Sequence, residues 1–236
     1  MRLADLPSRA FAKADPTSDT LFYAPIRMVA HIDERAIGAL TGVYAEHLAP
    51  GMRVLDLMSS RYSHLPELAL DVTGHGMNAA ELEANPALDR HVVRDLNEDP
   101  TLPFADRSFD AALCCVSVQY LQHPVAVFAE VARVLGSGAP FVVSFSNRCF
   151  PTKAIALWHA LTGARRAAYV GAVMEEAGFA DVQPNEVLPG GGVSDPLWTV
   201  IGRAPRGPAA AFAQAEDRTS PANAREAGGR PSPPVR

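Results

Sequence analysis

Asp56 is the side chain of this 236-residue sequence best placed for chemistry. It sits in Arg53-Val54-Leu55-Asp56-Leu57-Met58-Ser59-Ser60-Arg61-Tyr62-Ser63-His64-Leu65-Pro66, which begins as a buried strand and ends as a polar turn. In a doubly wound α/β sheet, ligands bind beyond the carboxyl ends of the strands, and the first strand-to-helix turn is the usual place. This turn has the acid but none of the glycines that line such loops, so it poses the question of a nucleotide-like cofactor. Asn78 and Asp95 stand at the ends of two later apolar runs. His31, His64, His123 and Tyr120 are the candidate bases, each with a bland alternative as a satisfied surface or core residue. The three cysteines are Cys114, Cys115 and Cys149. Cys114 and Cys115 are adjacent in a strand and point to opposite faces, so neither a disulfide framework nor a metal site is expected. A reducing compartment, the cytoplasm, is the natural reading.

These residues need elements to hold them. Residues 1–20 mix Pro, Asp, Ser and Thr without periodicity and read as an irregular leader. Apolar positions 29, 32, 36, 37, 40, 43 and 44 have helical spacing, which predicts an N-terminal helical cap over 21–50, with Asp33 or Thr41 as caps. Pro50-Gly51 ends it, and Met52 to Leu57 is the first strand. A short helical piece is expected over Leu65 to Leu70, then a strand from Asp71 into Gly74-His75-Gly76, and a short helix from Ala79 to Asn85. Val92 to Leu96 and Ala111 to Val118 are the next strands. The second is apolar at nearly every position, as suits a central parallel strand covered on both faces. Pro124 opens a helix whose buried stripe is read as Val125, Phe128, Val131, Ala132 and Leu135. Phe141 to Phe145 is a strand, and helices follow over 153–161 and 165–177. Asp181 to Leu188 and Leu197 to Gly202 succeed each other without a helix and should pair antiparallel. The sum is an α/β fold: a doubly wound, seven-stranded, mostly parallel sheet with an antiparallel last strand, its core over 51–203.

Composition narrows the partners. A hydrophobic fraction of 48% supports a full core, and 21 Lys+Arg against 26 Asp+Glu leave no basic footprint for nucleic acid. No apolar run approaches the roughly 18 residues of a membrane span, and no signal-peptide core follows the first residues. From 204 to 236 the chain turns to Ala, Pro, Gly, Arg and Ser, and is expected to be disordered.

Several segments resemble the class I S-adenosylmethionine-dependent methyltransferases. Val54-Leu55-Asp56-Leu57 is similar to their first motif strand. Asp95 with Leu102-Pro103-Phe104-Ala105-Asp106-Arg107-Ser108-Phe109-Asp110 resembles their strand-three acid and the approach to strand four. Glu130-Val131-Ala132-Arg133-Val134-Leu135-Gly136-Ser137-Gly138 resembles the helix and turn that follow. The first motif departs from the pattern. Met58, Ser60 and Tyr62 stand where glycines alternate after the acid, and Gly76 stands where a second acid ends strand two.

The resemblance implies S-adenosyl-L-methionine as cofactor and a small-molecule substrate. It places Asp56 on the cofactor's ammonium, and Ser59 and Ser60, in the turn that Met58 opens, on its carboxylate. Met77 would wall the adenine, Asn78 would meet the ribose, and Asp95 with the Leu96 backbone would read the adenine edge. Ser117 and Val118 would lie beside the reactive methyl, and the leader, with Arg27, over an acceptor. Each has a plain alternative: Asp56 and Asn78 as helix caps, the serines and Asp95 as turn formers, Met77 as core. The alternative function is a methyltransferase-like domain that binds or scaffolds without catalysis.

Overall fold

The computed structural model describes residues 3–206, with 191 and 193 left out. Its sheet has seven strands: β1 (Arg53–Ser59), β2 (Asp71–Gly76), β3 (Arg90–Val93), β4 (Ala111–Cys115), β5 (Pro140–Phe145), β6 (Ala180–Leu188) and β7 (Leu197–Arg203). Their order is β3-β2-β1-β4-β5-β7-β6. The first five are parallel, and β7 runs antiparallel to both β5 and β6. This is the mostly parallel sheet with an antiparallel last strand expected from the sequence. Strand order reverses between β1 and β4, so a crevice opens beyond their carboxyl ends.

The unbroken apolar runs are explained by two separate cores. On one face, Val54, Val72, Ala111, Leu113 and Val142 meet Ala36, Leu40 and Tyr44 of helix α2 (Glu34–His47). On the other, Leu55, Leu57, Ala112, Cys114, Phe141, Val143 and Phe145 meet three helices, α4 (Pro124–Val134), α5 (Ala156–Ala160) and α6 (Gly163–Glu176). Neighbouring strand residues thus serve opposite cores, including the Cys114–Cys115 pair. Burying each large apolar side chain contributes roughly 1.5–3 kcal/mol. Helix α2 starts where Asp33 accepts the Ala36 N–H at 2.9 Å. Pro124 occupies the first turn of α4, but its buried stripe is Val127, Phe128, Val131 and Val134, while Val125 and Ala132 are only half-buried.

Three boundaries differ from expectation. Leu65 to Leu70 forms no helix. Leu65 precedes Pro66 and is steered to extended backbone, and Leu65, Leu68 and Leu70 pack individually against the α2 core. Strand β3 ends at Val93 because the Asp95 carboxylate accepts the Asn97 N–H and starts a turn. Strand β4 ends at Cys115, where Val116 takes φ 48°, and Val118–Tyr120 is a 3-10 turn.

The leader carries 3-10 turns at Leu3–Asp5 and Ser8–Phe11 and a short helix, α1 (Asp19–Tyr23). It docks through Leu3, Leu6 and Phe11, which pack on the core of the α4 face, and through backbone and charge, which leave no apolar periodicity to read. Lys13 bridges to Ile155, the Asp15 N–H donates to Thr152 O, and the Ala156 N–H donates to Ala12 O. Lys153, fully buried, lies 3.2 Å from Asp15 and 3.3 Å from Asp19, and Lys13 also pairs with Asp19. At the other end, Ala204 is still buried, held by backbone bonds to Gly138 and Ala139. The rest of the expected disordered tail, from 207 on, lies outside the described residues. Among the described residues no helix is long and apolar enough to cross a membrane.

Candidate active site at the strand ends

A cleft opens beyond the carboxyl ends of β1, β2, β3 and β4. Its walls include Asp56 and Met58–Ser60 from the second half and end of β1, His75–Asn78 at the end of β2, Arg94–Asn97 after β3 and Cys115–Ser117 at the end of β4. The leader closes it with Asp19, Tyr23, Arg27, Ala30 and His31. It encloses about 990 Å³ outside the atoms, the part open to solvent included.

Asp56 is buried at 2% exposure. Burial pushes its carboxyl up to about 6, and the groups opposing that rise are the Ser59 and Ser63 hydroxyls rather than a cation. Ser59 Oγ donates to Asp56 at 2.6 Å. A buried carboxylate held by hydroxyls alone carries a desolvation cost that a cationic ligand would offset. Asp56 caps no helix, because none follows β1 before α3 (Ala79–Glu83). A ligand carboxylate at this turn therefore meets no helix N-terminus, the usual anion seat at such a place.

The turn itself keeps the shape that glycine usually supplies. Met58, in the first glycine position of the pattern, sits at φ 56°, in the left-handed region where side chains cost about 1–2 kcal/mol. Four of the six described non-glycine residues with positive φ, His31, Met58, His64 and Val116, line the cleft. Strain collected at a cleft is typical of functional sites. Ser117 Oγ ties the turn to β4, reaching Met58 O at 3.2 Å and Cys115 O at 2.7 Å.

Nine of the ten residues expected to meet the cofactor line this one cleft: Asp56, Met58, Ser59, Ser60, Met77, Asn78, Asp95, Leu96 and Ser117. Val118 does not; its side chain is buried in the core on the α4 face. Several polar groups already have partners. Ser60 Oγ donates to Glu81 at 2.6 Å. Asn78 caps α3 by accepting the Glu81 N–H, and its amide donates to Tyr23 O and Ala24 O. Asp95 accepts the Asn97 N–H at 2.8 Å. The expected alternatives of cap and turn are therefore realised at Asn78 and Asp95, on the cleft wall.

Of the candidate bases, His31 and His64 line the cleft and His123 does not. Dense surroundings lower the pKa of both His31 and His64, which keeps their rings neutral near pH 7. His64 Nε2 lies 3.2 Å from Ala30 O. Tyr120 is pushed up to about 12 by burial and its hydroxyl accepts the Phe150 N–H, so it is no base at neutral pH. Tyr23, Tyr120, Phe150 and His31 form an aromatic corner, with Phe150 5.9 Å from Tyr120 and 5.8 Å from His31. Arg27 lies over the Phe22 ring at 4.6 Å.

Sequence reasoning missed Glu81 and His75. Glu81, at 8% exposure, accepts the Arg27 N–H and the Ser60 hydroxyl, both at 2.6 Å. Its signal was present: Asn78-x-x-Glu81 is the spacing of a helix cap and its third residue. His75, at 1% exposure with neither ring nitrogen hydrogen-bonded, is pushed down to about 4 by burial. It alternates with glycines in β2 and gave no such signal.

A mostly parallel sheet of this order with an antiparallel β7, its cleft at the switch point, defines a Rossmann-like methyltransferase fold. Residues 36–143 match the family model described as a methyltransferase domain. Over that stretch the chain is similar to S-adenosylmethionine-dependent methyltransferases of class I. A demethylmenaquinone methyltransferase of Renibacterium salmoninarum is 28% identical over 142 residues, covering 58% of this chain and 56% of that protein. The chain spans about half the length of the curated relatives it matches. Among solved structures, the [4+2]-cyclase SpnF aligns with TM-score 0.57 at 18% identity, covering 78% of this chain and 87% of that one. Phosphoethanolamine N-methyltransferase 2 of Haemonchus contortus, in complex with S-adenosyl-L-methionine, aligns with TM-score 0.53 at 12% identity, covering 73% and 53%. At these identities the structures speak for the fold alone.

Proposed function

We propose that the protein transfers a methyl group from S-adenosylmethionine to a small-molecule acceptor. The observation that carries this reading is Asp56, a buried carboxylate without a cation at the cleft floor of a methyltransferase domain. An ammonium-bearing ligand supplies the missing charge. In this reading Asp56 takes the cofactor's ammonium, and backbone N–H groups of the Met58–Ser60 segment take its carboxylate. Met77 packs on the adenine, while Asp95 and Leu96 meet its edge. Ser117 borders the transferring methyl. Bound there, the cofactor supplies an electrophilic methyl on a sulfonium, so the protein's own task is in-line placement in a water-poor cleft.

The leader side of the cleft supports an aromatic acceptor. Tyr23, Tyr120 and Phe150 offer ring faces and edges for stacking. Such an acceptor agrees with the demethylmenaquinone of the named relatives. Neutral His31 stands at that corner to take a proton from an acidic acceptor group.

A second reading, a methyltransferase-like binding domain without catalysis, draws on the spent Ser60 and Asn78 side chains and on the absent helix after β1. One structural neighbour is a [4+2]-cyclase, so this fold also carries other activities. Calorimetry with S-adenosylmethionine and S-adenosylhomocysteine separates the two. Saturable binding that is weakened by Asp56→Asn supports the methyltransferase. Absence of binding by either compound at millimolar concentration refutes it and leaves the second reading.

A further inference from the structure

We propose that Glu81, on the first turn of α3, is the carboxylate that takes the cofactor's ribose hydroxyls. This rests on the cofactor reading above and goes beyond it by naming a residue outside the recognised motifs. A ribose diol presents two adjacent O–H donors, and a carboxylate accepts both in charge-assisted hydrogen bonds. The obvious position for that acid is the end of β2, and here it is closed. A Cβ built on Gly76 lies 2.5 Å from the backbone oxygen of Ser59 and 3.1 Å from Leu82. The Ser59 oxygen belongs to the backbone of a paired strand and cannot swing aside. A side chain at 76 would have to displace the Ser59 backbone, so the position is closed to an acid in this arrangement.

Asn78 comes next along the chain, and its amide is committed. Both its donors go to the leader carbonyls of Tyr23 and Ala24, and its oxygen caps α3. Glu81 is the following polar side chain on the same wall. It is buried to 8% exposure, and no ion pair among the described residues includes it. One oxygen accepts the Arg27 N–H and the other the Ser60 hydroxyl. A carboxylate has about four acceptor sites, so roughly two are left for the diol. The two existing bonds tie Glu81 to the leader and to the first turn, which holds its carboxylate on the cleft wall before any ligand arrives. An acid at this wall without a cation is expensive unless a ligand uses it.

The test is calorimetry with S-adenosylhomocysteine and its 2′-deoxy analogue, on the full chain and on Glu81→Gln and Glu81→Asp. The wild-type protein should bind the deoxy compound roughly 10- to 100-fold more weakly, as for loss of a charge-assisted hydrogen bond. Glu81→Gln should lose a similar factor toward S-adenosylhomocysteine and should no longer discriminate between the two compounds. Glu81→Asp, which keeps the charge, should recover part of the discrimination. A merely structural role would weaken both ligands alike and leave their ratio untouched, and that result overturns the proposal. So does a wild-type protein indifferent to the 2′-hydroxyl, a result that needs no folded variant. If the wild-type protein binds neither compound, the cofactor reading falls and this assignment with it; binding with an unchanged ratio in Glu81→Gln refutes the assignment alone.

Discussion

Replacing Asp56 by Asn should make the protein more stable and worse at binding its cofactor. Burial holds the Asp56 carboxyl at about 6 in the folded chain, against an ordinary value of 3.8. A gap of roughly two pH units corresponds to about 3 kcal/mol. The folded state binds this proton more tightly than the unfolded state, so the sign is fixed. Below 3.8 both states are protonated and the cost is absent; it grows as pH rises and is complete above 6. Asn keeps an oxygen for the Ser59 hydroxyl, which donates at 2.6 Å, while removing the charge. Urea unfolding of both proteins between pH 4 and 7.5 should show Asp56→Asn ahead by up to about 3 kcal/mol at pH 7.5, with the gap closing toward pH 4. Cofactor affinity at pH 7.5 should meanwhile fall roughly 10- to 100-fold. A gap that does not change with pH, or a variant less stable at pH 7.5, refutes the account of Asp56 as an uncompensated buried charge.

Two other substitutions probe the frame around the cleft. Gly76→Ala places a methyl against Ser59 O and should cost about 1–3 kcal/mol, read as a lowered Tm; an unchanged Tm would show that the β1–β2 corner is not closed. Lys153→Met removes the fully buried ammonium shared by Asp15 and Asp19; Lys13 still pairs with Asp19, so the cost should be about 1–3 kcal/mol, that of the lost hydrogen bonds. Limited proteolysis should then cut first within residues 13–31, and a leader as resistant as that of the wild-type protein would contradict the docking described.

The sheet was legible because burial on both faces leaves apolar runs bounded by turn residues, as at Ala111–Cys115 and Phe141–Phe145. Helix α2 was legible through Asp33 and its four-residue spacing, Ala36, Leu40 and Tyr44. Leu65 to Leu70 misled because three leucines at near-helical spacing serve the core singly from an irregular segment. The cleft was half legible. Asp56 and Asp95 follow from their places at strand ends, whereas Glu81 enters through a rotamer held by Ser60 and Arg27, partners 21 and 54 residues away. The left-handed backbone at Met58 and Val116 was hidden for another reason, since neither residue type favours it.

The seat of the leader has a consequence for how the chain comes to its native form during synthesis. Lys153 donates to Asp15 O from 138 residues farther along, and Ala156 donates to Ala12 O. The leader therefore leaves the ribosome long before the segment that receives it exists. At roughly 5–20 residues per second, that interval is on the order of ten seconds. Throughout it, the strand ends that form the cleft can assemble with no cover over them. Closure of the leader is then the late, long-range event of folding, and loop-closure entropy makes such contacts slow to form.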